Sequence, residues 1–278
     1  MNNAITTPEQ SEVKDDISGT PSFRVLGVRV NAVQIPDIIR VIENWVRDRK
    51  SMNYVAVTGM HGVAESRKDP HFRDVLDAAG LVIPDGMPLV WLGQFQGHNE
   101  VKRRTPGAEV MEAFFQATGS KYSHFFYGGV PGIADLLARS EHERHGIRVA
   151  GTYCPPFRPL TEAEEQEVQK LVKATNPDIL WVGLSTPKQE KWMYAHRHFP
   201  VPVMLGVGAA FDMNTGRLKR APLWMQNSGL EWLFRLVIEP RRLWRRYILD
   251  GSRFAWAVWV EHIFPSIFKK PATRSAQV

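Results

Sequence analysis

Short apolar runs alternate along this chain with segments in which apolar residues recur every three or four positions. The runs Tyr54 to Thr58, Leu81 to Ile83, Phe125 to Tyr127, Val149 to Tyr153, Ile179 to Leu184 and Val203 to Val207 read as strands, Leu81 to Ile83 as a buried one. An earlier run, Phe23 to Val30, reads as an edge hairpin around Gly27. Between the strands lie helical patterns. Ile35 to Arg47 places Ile38, Ile39, Ile42 and Val46 on one face. Thr161 to Glu164 forms a capping box that opens a second helix, running to about Ala174, and Asn176-Pro177 stops it before the strand at Ile179. Strand, helix, strand, repeated, predicts an α/β fold: a parallel sheet with helices on both faces.

In such sheets ligands bind beyond the carboxyl ends of the strands, so the residues just after each strand carry the information. They are Thr58-Gly59-Met60-His61, Pro84-Asp85-Gly86, Gly128-Gly129-Val130-Pro131-Gly132, Ser185-Thr186-Pro187-Lys188-Gln189 and Gly208 to Asp212. Small residues there let backbone N–H groups approach a phosphate at helix starts, which points to a nucleotide or phosphate ligand. The alternative is that Gly and Pro only punctuate the loops. No G-x-G-x-x-G follows the first strand, which disfavours a dinucleotide. Asp85 has two readings, a turn residue and a catalytic base at the mouth of the sheet. No metal site is expected. His196 and His198 point to different helix faces, and His142 and His145 sit in what reads as a solvated helix end. No Asp-x-Asp follows a strand, and no Gly-x-Ser-x-Gly elbow argues for a hydrolase.

Composition adds limits. The 278 residues suffice for a sizeable core. One cysteine, Cys154, excludes an internal disulfide and reads as a small buried residue. Residues 1–22 are polar, lack the apolar core of a signal peptide and read as a disordered leader. No run reaches the roughly 20 mostly apolar residues that span a bilayer.

Charge changes the picture at the other end. Residues 217–278 hold 12 Lys and Arg against 4 Asp and Glu, a net +8, while residues 1–216 hold 23 against 25. Five of the nine tryptophans, Trp224, Trp232, Trp244, Trp256 and Trp259, share this basic tail. Basic charge with many large aromatics favours a membrane interface over nucleic acid. From Pro240 a helix is expected with Leu243, Trp244, Tyr247 and Ile248 on one face and Arg241, Arg242, Arg245 and Arg246 on the other. The segment that follows, with Trp256, Trp259, Phe264 and Phe268, is broken by Glu261, His262 and Pro265 and suits lying in the interface. The competing reading packs this tail on the body. The chain thus divides into a leader (1–22), an α/β domain (23–222) and a basic, aromatic helical C-terminal appendage (223–278).

The stretches "VTGMHGVAES", "IPDGMPLVW", "RRTPGAEVM", "FFYGGVPG", "NPDILWVGLSTPKQEKWM", "GVGAAFDMNTGRLKRAP" and "GLEWLFRLVIEPRRLWRRY" follow in an order that resembles the WecG/TagA/CpsF family of bacterial glycosyltransferases over roughly residues 23 to 250. The resemblance implies a Rossmann-like domain with a C-terminal appendage. It implies metal-independent, inverting transfer from a UDP-sugar to a polyprenyl-diphosphate-linked glycan, at the cytoplasmic face of the inner membrane, in surface or exopolysaccharide synthesis. No cofactor is implied beyond the UDP-sugar as donor substrate. Carried over, Asp85 matches the proposed base, Thr58 a threonine near sugar or acceptor, Arg104 a functional arginine and Gln189 a pocket glutamine. Arg235, Arg242 and Arg245 match tail arginines that close over the diphosphate. With them, Gly128, Gly129, Ser185 and Lys188 are the expected substrate contacts, and Trp244, Trp256, Trp259, Phe264 and Phe268 the membrane contacts. The chain departs from the pattern at Thr58-Gly59-Met60, where many members have Thr-x-Asn, and at Gly107-Ala108-Glu109, where many have Gly-Asp. Both departures bear on the donor sugar, so N-acetylmannosamine is not assumed.

Three rivals stand beside this reading: a soluble nucleotide-sugar enzyme such as an epimerase, a nucleic-acid-binding protein using the tail, and a non-catalytic membrane scaffold of a polysaccharide machine. The absence of a recognisable nucleic-acid module argues against the second. The oligomeric state is left open, a homo-oligomer included.

Overall fold

A computed structural model describes residues 19–49 and 52–263, with the side chains of Asn227, Arg242, His262 and Ile263 left out. In chain order the elements are β1 (Ser22–Val25), β2 (Val28–Asn31), α1 (Ile35–Asp48), β3 (Asn53–Thr58), α2 (Met60–Lys68), α3 (Pro70–Asp77), β4 (Leu81–Pro84), α4 (Met87–Phe95), α5 (Gly107–Thr118), β5 (Ser123–Gly128), α6 (Ile133–His145), β6 (Arg148–Tyr153), α7 (Glu162–Thr175), β7 (Ile179–Gly183), α8 (Lys188–Ala195), β8 (Val203–Gly206), α9 (Ala210–Asn214), α10 (Leu223–Asn227), α11 (Glu231–Ile238), α12 (Pro240–Trp244) and α13 (Gly251–Val258). Two π-helical stretches, Arg245–Asp250 and Trp259–Ile263, run on from α12 and α13. The leader up to residue 18, and with it Phe264 and Phe268, lies outside the described residues.

Six strands form one parallel sheet in the order β4-β3-β8-β7-β5-β6. Their alternation explains the continuous apolar runs. Tyr54, Ala56, Val82, Phe125, Tyr127, Leu180, Val182 and Met204 face one core layer. Val55, Val57, Leu81, Ile83, Phe126, Ile179, Trp181, Val203 and Leu205 face the other. A strand buried on both faces has no polar side to show. The second layer buries two polar groups as a pair: the indole of Trp181 donates to Nδ1 of His124 at 3.1 Å. Burial pushes His124 down to about 3, so it stays neutral and can accept that bond.

The helix patterns hold where predicted. On α1, Ile38, Val41, Ile42, Trp45 and Val46 are buried. The capping box at Thr161 forms, with the Glu164 carboxylate accepting from the Thr161 N–H at 2.8 Å. One expectation fails. The early hairpin is not an edge of the main sheet; β1 and β2 make a separate two-stranded antiparallel sheet. The Asn31 carboxamide explains its seat: its oxygen accepts from the Val82 N–H at 2.8 Å, so a side chain links hairpin to sheet where a ladder would otherwise run.

The appendage is two-sided. Phe254 and Val258 are buried in the first core layer, against α2. Trp256 and Trp259 stack on one another outside, 63% and 37% exposed. The packed-tail reading and the exposed-tail reading therefore describe different faces of one helix. Among the described residues no helix is long and apolar enough to cross a membrane.

Candidate functional site

The carboxyl ends of β3, β4, β7 and β8 converge on a cavity of about 530 Å³, closed on its open side by the appendage. The β3–β4 ladder places the key carboxylate. Thr58 pairs with Pro84, and one residue further the Asp85 N–H donates to the Thr58 carbonyl at 3.0 Å. Gly59 lies beneath: a methyl group there would stand 3.9 Å from Oδ2 of Asp85. The carboxylate lines the cavity and has no hydrogen-bond or ion-pair partner among the described residues. Thr105 brings a second loop to the same strand end, its N–H and hydroxyl both donating to the Pro84 carbonyl at 2.7 and 3.1 Å. That fixes Arg104 at the cavity wall.

Gln189 is buried and lines the cavity, but its amide is committed to the protein. Its oxygen accepts from the Gly208 N–H at 2.9 Å, and its nitrogen donates to the Gly206 carbonyl at 3.1 Å and to Glu190 at 3.0 Å. It bolts α8 to the end of β8. The fully buried Glu190 carboxyl also accepts from Thr186 at 2.8 Å, and desolvation pushes it above the usual carboxylate range. Ser185 lines the cavity beside the cis Thr186–Pro187 bond.

Other expected residues lie elsewhere. Thr58 is buried with its hydroxyl unpartnered, sealed under the first turn of α2, whose Gly62 leaves room only for its methyl group. Lys188 is not part of the cavity wall. Neither are Gly128 and Gly129, and packing explains both: they have φ of +122° and +77°, and a Cβ on Gly128 would meet the Gly183 backbone at 2.7 Å. Cys154 is half-buried, its thiol 3.4 Å from the Gly129 carbonyl and pushed up by burial.

From the appendage, Arg235 and Arg245 reach the cavity, and Arg235 Nε is buried without a partner. The Arg242 side chain is outside the described residues. The expected two-faced helix from Pro240 is corrected: Leu243 is buried at the cavity and Tyr247 lines it, whereas Trp244 and Ile248 are 44% and 50% exposed. Sequence reading missed Glu231, Gln226 and Asp250, which line the wall, and gave no site role to His61 and Arg246, which line it too. His61 had a signal, since it belongs to the four-residue set at the end of β3. Burial and the charge of Arg246 push it down to about 4, so it is neutral at pH 7. Among the described residues two groups with metal-ligand donors exist, His61/Glu65/Asp250 and Glu112/Glu141/His145. In each a basic side chain already bonds both carboxylates: Lys68 at 2.8 Å to both in the first, Arg144 at 2.5 and 3.1 Å in the second. His145 therefore sits in a partly buried ion cluster and not on a solvated helix end.

A free carboxylate facing unpaired guanidinium across a strand-end cavity suits transfer of a group away from a phosphate. Comparison agrees. Residues 23–267 match the family described as "Glycosyl transferase WecG/TagA/CpsF family". The chain is 32% identical over 230 residues to the N-acetylglucosaminyldiphosphoundecaprenol N-acetyl-beta-D-mannosaminyltransferase of Bacillus subtilis, covering 82% of this chain and 87% of that one. It is 28% identical to the enzyme of that name from Bacillus spizizenii, over 81% and 86% of the two chains. With that of Staphylococcus aureus it shares 23% over 83% and 90%. The chain belongs to the WecG/TagA/CpsF family and is a glycosyltransferase.

Proposed function

We propose that this chain transfers a sugar from a UDP-sugar to a glycan carried on a polyprenyl diphosphate, with inversion, while seated on the cytoplasmic face of the bacterial inner membrane. The product would serve a surface or exopolysaccharide. The observation that carries the reading is the unpartnered Asp85 carboxylate in a cavity that the appendage arginines also line. Asp85 takes the proton of the acceptor hydroxyl as its oxygen attacks the anomeric carbon. The bond from that carbon to the UDP oxygen breaks on the opposite face, which inverts the centre. Arg235 and Arg245 take up the negative charge growing on UDP, a task for which guanidinium forks suit phosphate oxygens.

The curated relatives are named for N-acetylmannosamine transfer to a GlcNAc-diphosphoundecaprenol. Their names support the lipid-linked acceptor here. The donor sugar stays unassigned, because Gly59 and Met60, and Gly107 and Ala108, from the two stretches that depart from the family pattern, form part of the cavity wall. Exposed Trp224, Trp244 and Trp256 on a tail of net charge +8 support contact with an anionic leaflet. The test is UDP release from a panel of UDP-sugars with a short-chain polyprenyl-diphosphate glycan, with and without EDTA. Turnover with one donor, lost in Asp85→Asn and kept in EDTA, is expected. Turnover abolished by chelation and restored by a divalent ion would replace the arginine-based account of the leaving group.

A further inference from the structure

Arg104 enters the site from the body, yet the groups that hold it come largely from the appendage. Its side chain is only 11% exposed. One terminal nitrogen, Nη1, lies 2.7 Å from Oε2 of Glu231 on α11. The other, Nη2, donates to Oε1 of Gln226 at 2.6 Å and of Glu109 at 3.2 Å. Gln226 is itself oriented, its amide donating to the Ala221 carbonyl at 2.7 Å. Both prongs of the guanidinium are thus occupied by protein.

Apolar burial holds α11 only weakly, through the half-buried Phe234 and Leu236. None of its eight residues is buried, and Val237 and Ile238 face outward. Glu231 and Arg235 stand four residues apart, on one helix face. Whatever holds Glu231 therefore also aims Arg235 into the cavity. The charges make the contact decisive. Asp85 and Glu109 both act on Glu231 in the direction that disfavours its charge, and Arg104 opposes them. Without Arg104, Glu231 would stand near Asp85 and Glu109 with Arg235 left to favour its charge.

We infer that Arg104 and Glu231 form the clasp that seats the appendage over the cavity, Glu231 being a positioning residue that acts through Arg104 to place Arg235. This inference rests on the proposed transfer reaction only for its kinetic consequence; the docking itself is independent of it. It also gives Arg104, matched above only to a functional arginine, a task within the protein.

A double-substitution cycle on the full chain tests it, using Arg104→Ala, Glu231→Ala and the pair. The first readout is amide hydrogen exchange across residues 231–238, with β3 and β7 as the control for the body fold. Each single change is expected to speed exchange in α11 about tenfold, with the pair no worse than Arg104→Ala alone, because coupled residues do not add. The second readout is kcat and donor KM, where the same non-additivity is expected. Should Arg104→Ala disturb β3 and β7 as well, Glu231→Gln, which keeps the side-chain shape, carries the exchange measurement. Wild-type protection of α11 in Glu231→Ala or Glu231→Gln overturns the clasp. So do losses in kcat/KM that multiply in the pair, which would mark Arg104 as a direct substrate contact. If no variant and no wild-type protein transfers sugar, the exchange data still decide the clasp, and the transfer reading alone fails.

Discussion

The sheet and the appendage are built on opposite terms. In the sheet, buried polar side chains are few, His124 being paired with Trp181, and large residues such as Trp181, Phe126 and Tyr127 are sealed. In the appendage, eight of the protein's large apolar side chains from Leu223 to Ile248 are exposed, Trp224 by 64%, and no residue of α11 is fully buried. Its attachments are Leu243, Phe254 and Val258, and polar links such as Arg104–Glu231, Lys68–Asp250 and Arg67–Glu261. The body is organised to hold itself together. The appendage is organised to hold something on each side, the cavity within and an apolar surface without.

The comparison breaks most visibly where the two regions meet. Asp85→Asn replaces a carboxylate that has no hydrogen-bond or ion-pair partner among the described residues, so it should cut turnover about 10²–10⁴-fold while melting close to wild type. Removing residues 223–278 should bring a loss of the same order by the other route, since Arg235, Arg245 and Tyr247 leave the wall with it. Steady-state rates and thermal melts of both proteins check this. Turnover near wild type in the truncated chain would reduce the appendage to an accessory.

Within the body, Trp181→Ala should cost about 3–5 kcal/mol, because it opens a cavity among Phe114 and Phe115 and leaves the buried His124 without its donor. For a chain of this size that lowers the melting temperature by about 10 °C. In the appendage, Trp256→Ser with Trp259→Ser should leave the melt within about 1 °C, as exposed residues rarely carry stability. The same pair should weaken binding to anionic vesicles about tenfold or more, through lost apolar burial. Vesicle co-sedimentation alongside calorimetry reads both, and an unchanged affinity would mean that these rings face something other than lipid.

How legible this was follows the same divide. The strands could be read because burial on both faces leaves continuous apolar runs, and Asp85 because a carboxylate sits at the end of one. The 3.6-residue period placed α1 and the capping box placed α7. Strand order was not readable, since β8 inserts beside β3 across about 150 residues. Nor was the separate hairpin, whose seat combines core burial of Phe23, Val25, Val28 and Val30 with side-chain links such as Asn31 to Val82. Gly128 and Gly129 looked like a phosphate loop, but their small size answers to Gly183 and Ile133. In the tail, a 3.6-residue wheel grouped Leu243 with Trp244 and Ile248. The wider π turns from Arg245 onward shift that register, and packing on the cavity selects Leu243 and Tyr247 alone. Glu231 escaped notice because its meaning lies in Arg104, 127 positions earlier.

The smallest expected effect sharpens the boundary itself. His61 on α2 faces Asp250 of the appendage, 3.8 Å from Nδ1 to the carboxylate, and its ring is 17% exposed. Desolvation and Arg246 push it down to about 4, against a free value of 6.5. A base whose docked value lies below its free value binds fewer protons when docked. Docking is therefore undisturbed above pH 6.5 and weakens as pH falls from 6.5 toward 4. At pH 5 the penalty is at most about 2 kcal/mol, and about 1 kcal/mol if the appendage supplies half of the burial. Glu231 works in the other direction: burial raises its carboxyl, so the docked form takes up its proton more readily as pH falls. The informative quantity is thus wild type against His61→Gln, in which Glu231 is common to both. Hydrogen exchange in α13, corrected for intrinsic rates, should speed about fivefold more in wild type than in His61→Gln between pH 7 and pH 5. Equal slopes would show that α2 and the sheet alone bury His61, and that the appendage can lift without the ring gaining water.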